Sequence, residues 1–323
     1  MGEFRFEGHR IAYDEYGEGD RVTVLIHGLL MNSSMFERLG PELASRGNHV
    51  ICVNLLGHGS SGGPHELPYY SMSSFADQVG ALLDHLGVEE AVIGGTSLGA
   101  NVSLEFASRT PDRARALFME MPVLESALLA VAVIFTPIMV MLQLGGPVLR
   151  LIAIATRSVP RSNYFVDIAL DFVRRDPSHS ADVLQGLLLG RTAPIPKERM
   201  AIEHPALVIG HPADPLHPFS DADMVVREMP NARLVDANSI IEWRVNPGRL
   251  DDELAAFLDE VWKKPARKPR KKAAAKSPAK RTRSAKGSNN NSPNSGKRSG
   301  NARAKKSGRA AGRNSAAARK SRA

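Results

Sequence analysis

The chain has 323 residues, 43% of them hydrophobic and 24% charged, with a formal net charge of +8 and one cysteine. That hydrophobic share supplies a sizeable core and excludes a wholly disordered protein, while a lone cysteine excludes an intrachain disulfide framework. The net charge hides an asymmetry: residues 263–323 hold 22 Lys and Arg and no Asp or Glu, leaving 20 basic against 34 acidic side chains, net −14, in residues 1–262.

The opening stretch Met1–Glu7 has no apolar run of the kind a secretory signal needs, so a cytoplasmic location is expected. Strand patterns follow at Phe4–Phe6 and Ile11–Tyr16, then a buried-type strand at Val22–Ile26 that ends in His27-Gly28-Leu29. A helical pattern covers Met35–Ser45. The strand Val50–Val53 contains Cys52, which reads as a core thiol in a reducing compartment, and it runs into Asn54-Leu55-Leu56-Gly57-His58-Gly59-Ser60-Ser61. Next come a helix at Ser71–His85, a strand at Ala91–Gly94, the turn Gly95-Thr96-Ser97-Leu98-Gly99, a helix at Asn101–Ser108 and a strand at Ala116–Met119. From 122 to 203 the alternation lapses into apolar helical segments. It resumes with strands Ala206–Ile209 and Arg233–Val235 and helices Asp221–Met229 and Leu250–Trp262. Alternating strands and helices imply a mostly parallel sheet covered on both faces.

The turn at Ser97 is the most informative segment. An apolar strand enters G-x-S-x-G and a helix leaves it, the context in which a serine is held on a strained turn as a nucleophile. Gly95 and Gly99 suit a turn too tight for a Cβ. With His27-Gly28 upstream and the Asn54–Ser61 loop between, the order and spacing resemble the α/β-hydrolase family from about Phe4 to Trp262. The resemblance implies an α/β-hydrolase fold with a helical lid over 122–203 and Ser97 as nucleophile. It further implies an oxyanion hole from the backbone N–H groups of Leu29 and Leu98, with His27, Gly28 and His58 shaping loops. Two departures stand out: Asn54 occupies a place where many members carry Asp, and Leu56 one where they carry Arg.

The family's acid and base follow the serine in the order Asp or Glu, then His. Asp214 fits the acid, since Leu207-Val208-Ile209-Gly210 reads as a strand and His211-Pro212-Ala213-Asp214-Pro215-Leu216-His217-Pro218 resembles the loop that carries it. The base would stand near Asn238-Ser239, and no histidine occurs after His217. Three readings stay open. His217 serves as base in a rewired Ser97, His217, Asp214 arrangement, tight for two groups three residues apart, with His211 the weaker candidate for that role; the fold is retained for binding, with little or no catalysis; or it performs chemistry that does not need the usual base. The leading expectation is a hydrolase, because Ser97, its glycines and the His27-Gly28 turn are intact, acting on an ester with an apolar acyl or alkyl group if the apolar lid segments face the pocket; the same segments could equally pack on the sheet or form a dimer contact, and Met121, Met139 and Met141 suit a pocket wall or core filling.

Ser126–Leu149 lacks charged residues and is long enough to span a bilayer, but Pro137 and Gly145-Gly146-Pro147 interrupt it, so no transmembrane span is expected. Residues 263–323, without aromatic or large aliphatic side chains, are expected to be disordered. Their Lys276–Lys280 element resembles tails of linker histones and bacterial histone-like proteins, and their charge favours nucleic acid, bound in a sequence-neutral, salt-sensitive manner that would give a nucleoid association, over an anionic membrane surface, an acidic protein or a solvated tail with no fixed partner. No metal or organic cofactor is suggested: no His/Cys cluster has ligand spacing, and the glycines near Gly94 lack G-x-G-x-x-G.

Overall fold

The computed structural model describes residues 1–160, 162 and 164–263. Its strands are β1 (Gly2–Phe6), β2 (His9–Tyr16), β3 (Val22–Ile26), β4 (His49–Val53), β5 (Ala91–Thr96), β6 (Ala114–Glu120), β7 (Ala206–Gly210) and β8 (Ala232–Asp236). They form one sheet in the order β1-β2-β4-β3-β5-β6-β7-β8, antiparallel at the β1, β2 edge and parallel from β4 onward. The edge hairpin closes through Glu7 and Gly8, both at positive φ, the backbone that a tight two-residue hairpin turn requires. β3 and β5 are buried along their whole length and, apart from Thr23 and Thr96, consist of apolar residues and glycines, as expected of parallel strands covered on both faces.

Helices α1 (Leu39–Ser45), α2 (Met72–His85) and α3 (Leu98–Arg109) alternate with the first strands. The insertion between β6 and β7 carries α4 (Leu128–Leu144), α5 (Gly146–Ala155), α6 (Tyr164–Arg174), α7 (Pro177–Leu188) and α8 (Pro196–Met200). The chain then adds α9 (Phe219–Glu228), α10 (Glu242–Val245) and α11 (Gly248–Lys263). Side chains alternate across each strand. Val24 and Ile26 join Phe75, Val79 and Phe106 on one face, whereas Leu25, Cys52, Phe118 and Ile209 meet Leu43, Trp243, Leu254 and Leu258 on the other. Burial pushes the Cys52 thiol up, in keeping with a core residue.

All eight expected strands form, several with one or two more residues at an end. The helix expected over Met35–Ser45 is instead a short 3-10 turn at Ser33–Phe36, capped by Asn32, followed by α1. Pro41 is the physical reason: a continuous helix would need its missing N–H and would press its ring on the carbonyl of Glu37. α10, too short for periodicity to reveal, buries Trp243 against Phe118. Among the described residues no single helix is long and apolar enough to cross a membrane. The segment expected to be disordered lies, from Lys264 onward, outside the described residues.

Candidate active site

The turn between β5 and α3 holds Ser97 at φ 54° and ψ −106°, a left-handed backbone that a non-glycine residue adopts only under constraint. The constraint is visible: the Ser97 amide donates to the Glu120 carbonyl at 2.8 Å, and its carbonyl accepts from Asn101 at 3.1 Å to start α3. A Cβ at Gly95 or at Gly99 would lie 2.0 Å from the Ile26 carbonyl oxygen, so both glycines are required by the approach of β3.

The loop after β7 folds on its own aspartate. Asp214 Oδ1 accepts the amides of Leu216 at 2.8 Å and His217 at 3.0 Å, an Asx-type turn that brings residues 214 and 217 to one side. His217 Nδ1 then lies 2.9 Å from Asp214 Oδ2, and Nε2 lies 2.9 Å from Ser97 Oγ. The three-residue spacing is therefore sufficient. Burial alone would raise the Asp214 carboxyl, but hydrogen bonds and charge from His217 and the backbone hold it down to about 2. An ionised Asp214 accepts Nδ1–H, which leaves the Nε2 lone pair facing the serine hydroxyl.

The other histidines have different duties. His27 is fully buried, donates Nδ1–H to the Gly28 carbonyl at 2.9 Å and accepts the Leu55 amide at 3.2 Å; burial lowers it to about 3. His58 donates to the Leu56 carbonyl at 2.9 Å, packs against His27 with centroids 4.6 Å apart, and is pushed well below its usual value by burial. Both brace loops as neutral rings. His211 faces away from the serine: Nδ1 donates to the Ser239 carbonyl at 3.0 Å, and Nε2 sits 3.2 Å from Glu120 Oε1.

Glu120 was not among the residues that the sequence singled out. At the end of β6 its buried carboxylate meets Arg244 at 2.7 Å and accepts Thr96 Oγ1 at 2.5 Å. Burial would raise its carboxyl, but Arg244, His211 and Thr96 bring it to about 2. The available signal was a lone glutamate closing the apolar run Ala116–Met119. This cluster fills the space beside Ser239, where the resemblance led one to look for the base.

Ser97, Leu29, Leu98 and His217 line a cavity of about 490 Å³. Its apolar wall comes from Leu128, Val131 and Phe135 of α4 and from Leu184 and Leu187 of α7, and Glu125, Arg191 and Arg199 line it as well. None of Met121, Met139 and Met141 lines it: Met139 packs on the core, Met121 directly follows β6 at positive φ, and Met141 is exposed, so the pocket-wall reading of these three is corrected. Leu98 opens α3, where first-turn amides lack intrahelical acceptors. Leu29 lies in the turn closed by the Met31 amide on the Gly28 carbonyl at 3.0 Å. Arg175, just past α6, ties this turn down by donating to the carbonyls of Met31, at 3.1 Å, and Gly57. Among the described residues no group of three or more His, Cys, Asp or Glu is arranged to hold a metal ion.

The family model described as alpha/beta hydrolase fold matches residues 22–136. An AB hydrolase superfamily protein of Bacillus subtilis is 34% identical over 110 residues, 32% of this chain and 40% of that protein. An uncharacterised protein of Mycobacterium tuberculosis is 38% identical over 104 residues, 32% of this chain and 29% of that protein. The chain thus spans less than half the length of either relative. Among solved structures, an enol-lactonase from Burkholderia xenovorans superposes with a TM-score of 0.66 at 21% identity, covering 80% of this chain and 100% of the other. A thermophilic esterase from Thermogutta terrifontis gives 0.61 at 20% identity, covering 78% and 94%. The fold is the α/β-hydrolase fold.

Proposed function

We propose that this protein is a serine hydrolase acting on a carboxylic ester with an apolar acyl or alkyl group. The observation that carries the reading is the continuous relay from Asp214 Oδ2 through His217 to Ser97 Oγ, with 2.9 Å at both steps. In this reading Ser97 Oγ attacks the ester carbonyl as its proton passes to His217 Nε2, and Asp214 stabilises the imidazolium. The amides of Leu29 and Leu98 receive the negative charge on the tetrahedral oxygen. Collapse expels the alcohol, which takes the proton from Nε2 and leaves an acyl-Ser97; water activated by the same nitrogen then releases the acid and restores the serine. The apolar cavity wall supports a greasy substrate, and the lactonase and esterase named above act on bonds of the same ester class.

The test is covalent labelling of the intact protein by a fluorophosphonate probe, located by mass spectrometry, beside Ser97→Ala and His217→Ala. Labelling on Ser97 that collapses in the His217 variant supports the reading. An unlabelled intact protein with a filled, ligand-binding cavity would instead fit a fold kept for binding.

We further infer that residues 263–323, with their 22 basic side chains, bind nucleic acid without sequence preference and hold the protein near the nucleoid of the cytoplasm. A gel shift of the full chain with duplex DNA at about 50 and about 200 mM salt checks this, since counterion release makes such binding fall steeply across that range. No shift at the lower salt would dismiss it.

A further inference from the structure

The outer side of the inserted helices is unlike the surface of a soluble domain. Residues 126–149 contain no charged side chain. On α4, Leu129 is 77% exposed, Val133 63% and Leu144 81%, and on α5 Leu151 is 67% exposed. Val140, Met141, Val148 and Ile154 extend the same apolar surface. Contiguous exposure on this scale calls for a partner.

We propose that α4 and α5 dock on a lipid bilayer, lying in its interface. Leaving aside Leu128, which lines the cavity, the exposed positions of α4 run from Ala132 round to Ile134 and span about 200° of its circumference at 100° per residue. A helix that packs on one protein surface covers a stripe of about 100°, whereas fluid hydrocarbon can cover a wider arc. Among the described residues no single helix is long and apolar enough to cross: the 17 residues of α4 rise about 26 Å, short of the ~30 Å hydrocarbon core, and the chain then bends by 87° into α5, which favours an interfacial pair over a straight span. Two axes meeting at that angle still share one plane, as an interfacial pair must. Charge complements this placement. Arg150, 3.4 Å from Asp176, and Arg157 stand exposed on α5 and the turn after it, and the 22 basic residues from Lys263 onward, where nucleic acid does not hold them, add attraction to anionic lipid.

The opposite side of α4 contributes Leu128, Val131 and Phe135 to the cavity that holds Ser97. One helix therefore separates the bilayer from the pocket, and an apolar molecule dissolved in lipid has a short path to it. The docking itself is independent of whether Ser97 reacts.

Flotation of the full chain with phosphatidylcholine vesicles, alone and with phosphatidylglycerol, tests the proposal. The expected result is flotation with both, stronger with phosphatidylglycerol at low salt. The triple variant Leu129→Glu, Leu144→Glu, Leu151→Glu reduces binding to phosphatidylcholine at least tenfold; these side chains lie outside the cavity and outside the core, so circular dichroism and thermal midpoint stay near those of the parent. Leu129→Trp provides a second readout, with tryptophan emission shifting to the blue on adding vesicles. Three outcomes overturn the proposal: no flotation with either lipid, flotation confined to phosphatidylglycerol and abolished by salt, or a dimer in solution that the triple variant breaks while neither protein floats.

Discussion

Replacing Asp214 by Asn separates what that carboxylate does for the loop from what it does for the histidine. Asn keeps an oxygen in the place of Oδ1, so the amides of Leu216 and His217, at 2.8 and 3.0 Å, retain their acceptor. The amide nitrogen then takes the place of Oδ2, 2.9 Å from His217 Nδ1, and donates to it. The ring must carry its proton on Nε2, which faces Ser97 Oγ at 2.9 Å and can no longer accept the hydroxyl proton. A wrong tautomer of this kind costs on the order of 10⁴ in rate, or ~5.5 kcal/mol of barrier. Folding stability suffers far less. Lowering the carboxyl from 3.8 to about 2 corresponds to ~2 kcal/mol at neutral pH, an upper bound because the backbone bonds survive. The rate of fluorophosphonate labelling and of p-nitrophenyl ester hydrolysis, with urea unfolding alongside, reads both quantities. An Asp214→Asn protein that reacts within tenfold of the parent would refute the relay as the source of nucleophilicity.

Three further outcomes follow from the same geometry. His27, lowered to about 3, and His58, also lowered, bind protons only when unfolded between their folded values and 6.5; stability therefore rises with pH across that window and is lost as pH falls below 6.5, by ~2 kcal/mol at pH 5 from His27 with a further loss in the same direction from His58, measurable by urea titration at pH 5 and 7. Glu120→Gln leaves the partly buried Arg244 and the buried His211 without their carboxylate and costs about 3–5 kcal/mol in the same assay. Gly99→Ala sets a Cβ 2.0 Å from the Ile26 carbonyl and is expected to lose at least ~3 kcal/mol or fail to fold, whereas Gly80→Ala in α2, with its nearest neighbour at 3.9 Å, should gain ~0.5–1 kcal/mol.

Local signals carried most of the architecture. The strands announced themselves as apolar runs between turn residues, and the serine turn was legible because β5, G-x-S-x-G and α3 are contiguous in sequence. His217 could be nominated by a simple fact of order, that no histidine follows it, and its compatibility with Asp214 rested on an Asx turn that a Pro-rich tetrapeptide does not advertise. What escaped was long-range. Glu120 meets Arg244 across 124 residues and His211 across 91, and no periodicity within either segment encodes that meeting. The broken start of α1 is encoded by Pro41, which hydrophobic spacing alone does not register, while α10 is a single turn stabilised by Trp243 reaching the core.

In a triad assembled from three separate loops, movement of any loop disturbs two pairings. Here Asp214 and His217 belong to one turn, so only the contact between Nε2 and Ser97 Oγ joins parts of the chain far apart in sequence. If the loop after β7 shifts, the acid and the imidazole travel together and keep their own bond. If Ser97 reacts as proposed, displacement would silence it while leaving the hydrogen bond between Asp214 and His217 intact, and return of the loop would restore the relay without reassembly. On the proposed mechanism the stretch from β8 to α11 carries no chemical duty, so substitutions there should act on stability alone, whereas those at Asp214 and His217 should act on rate.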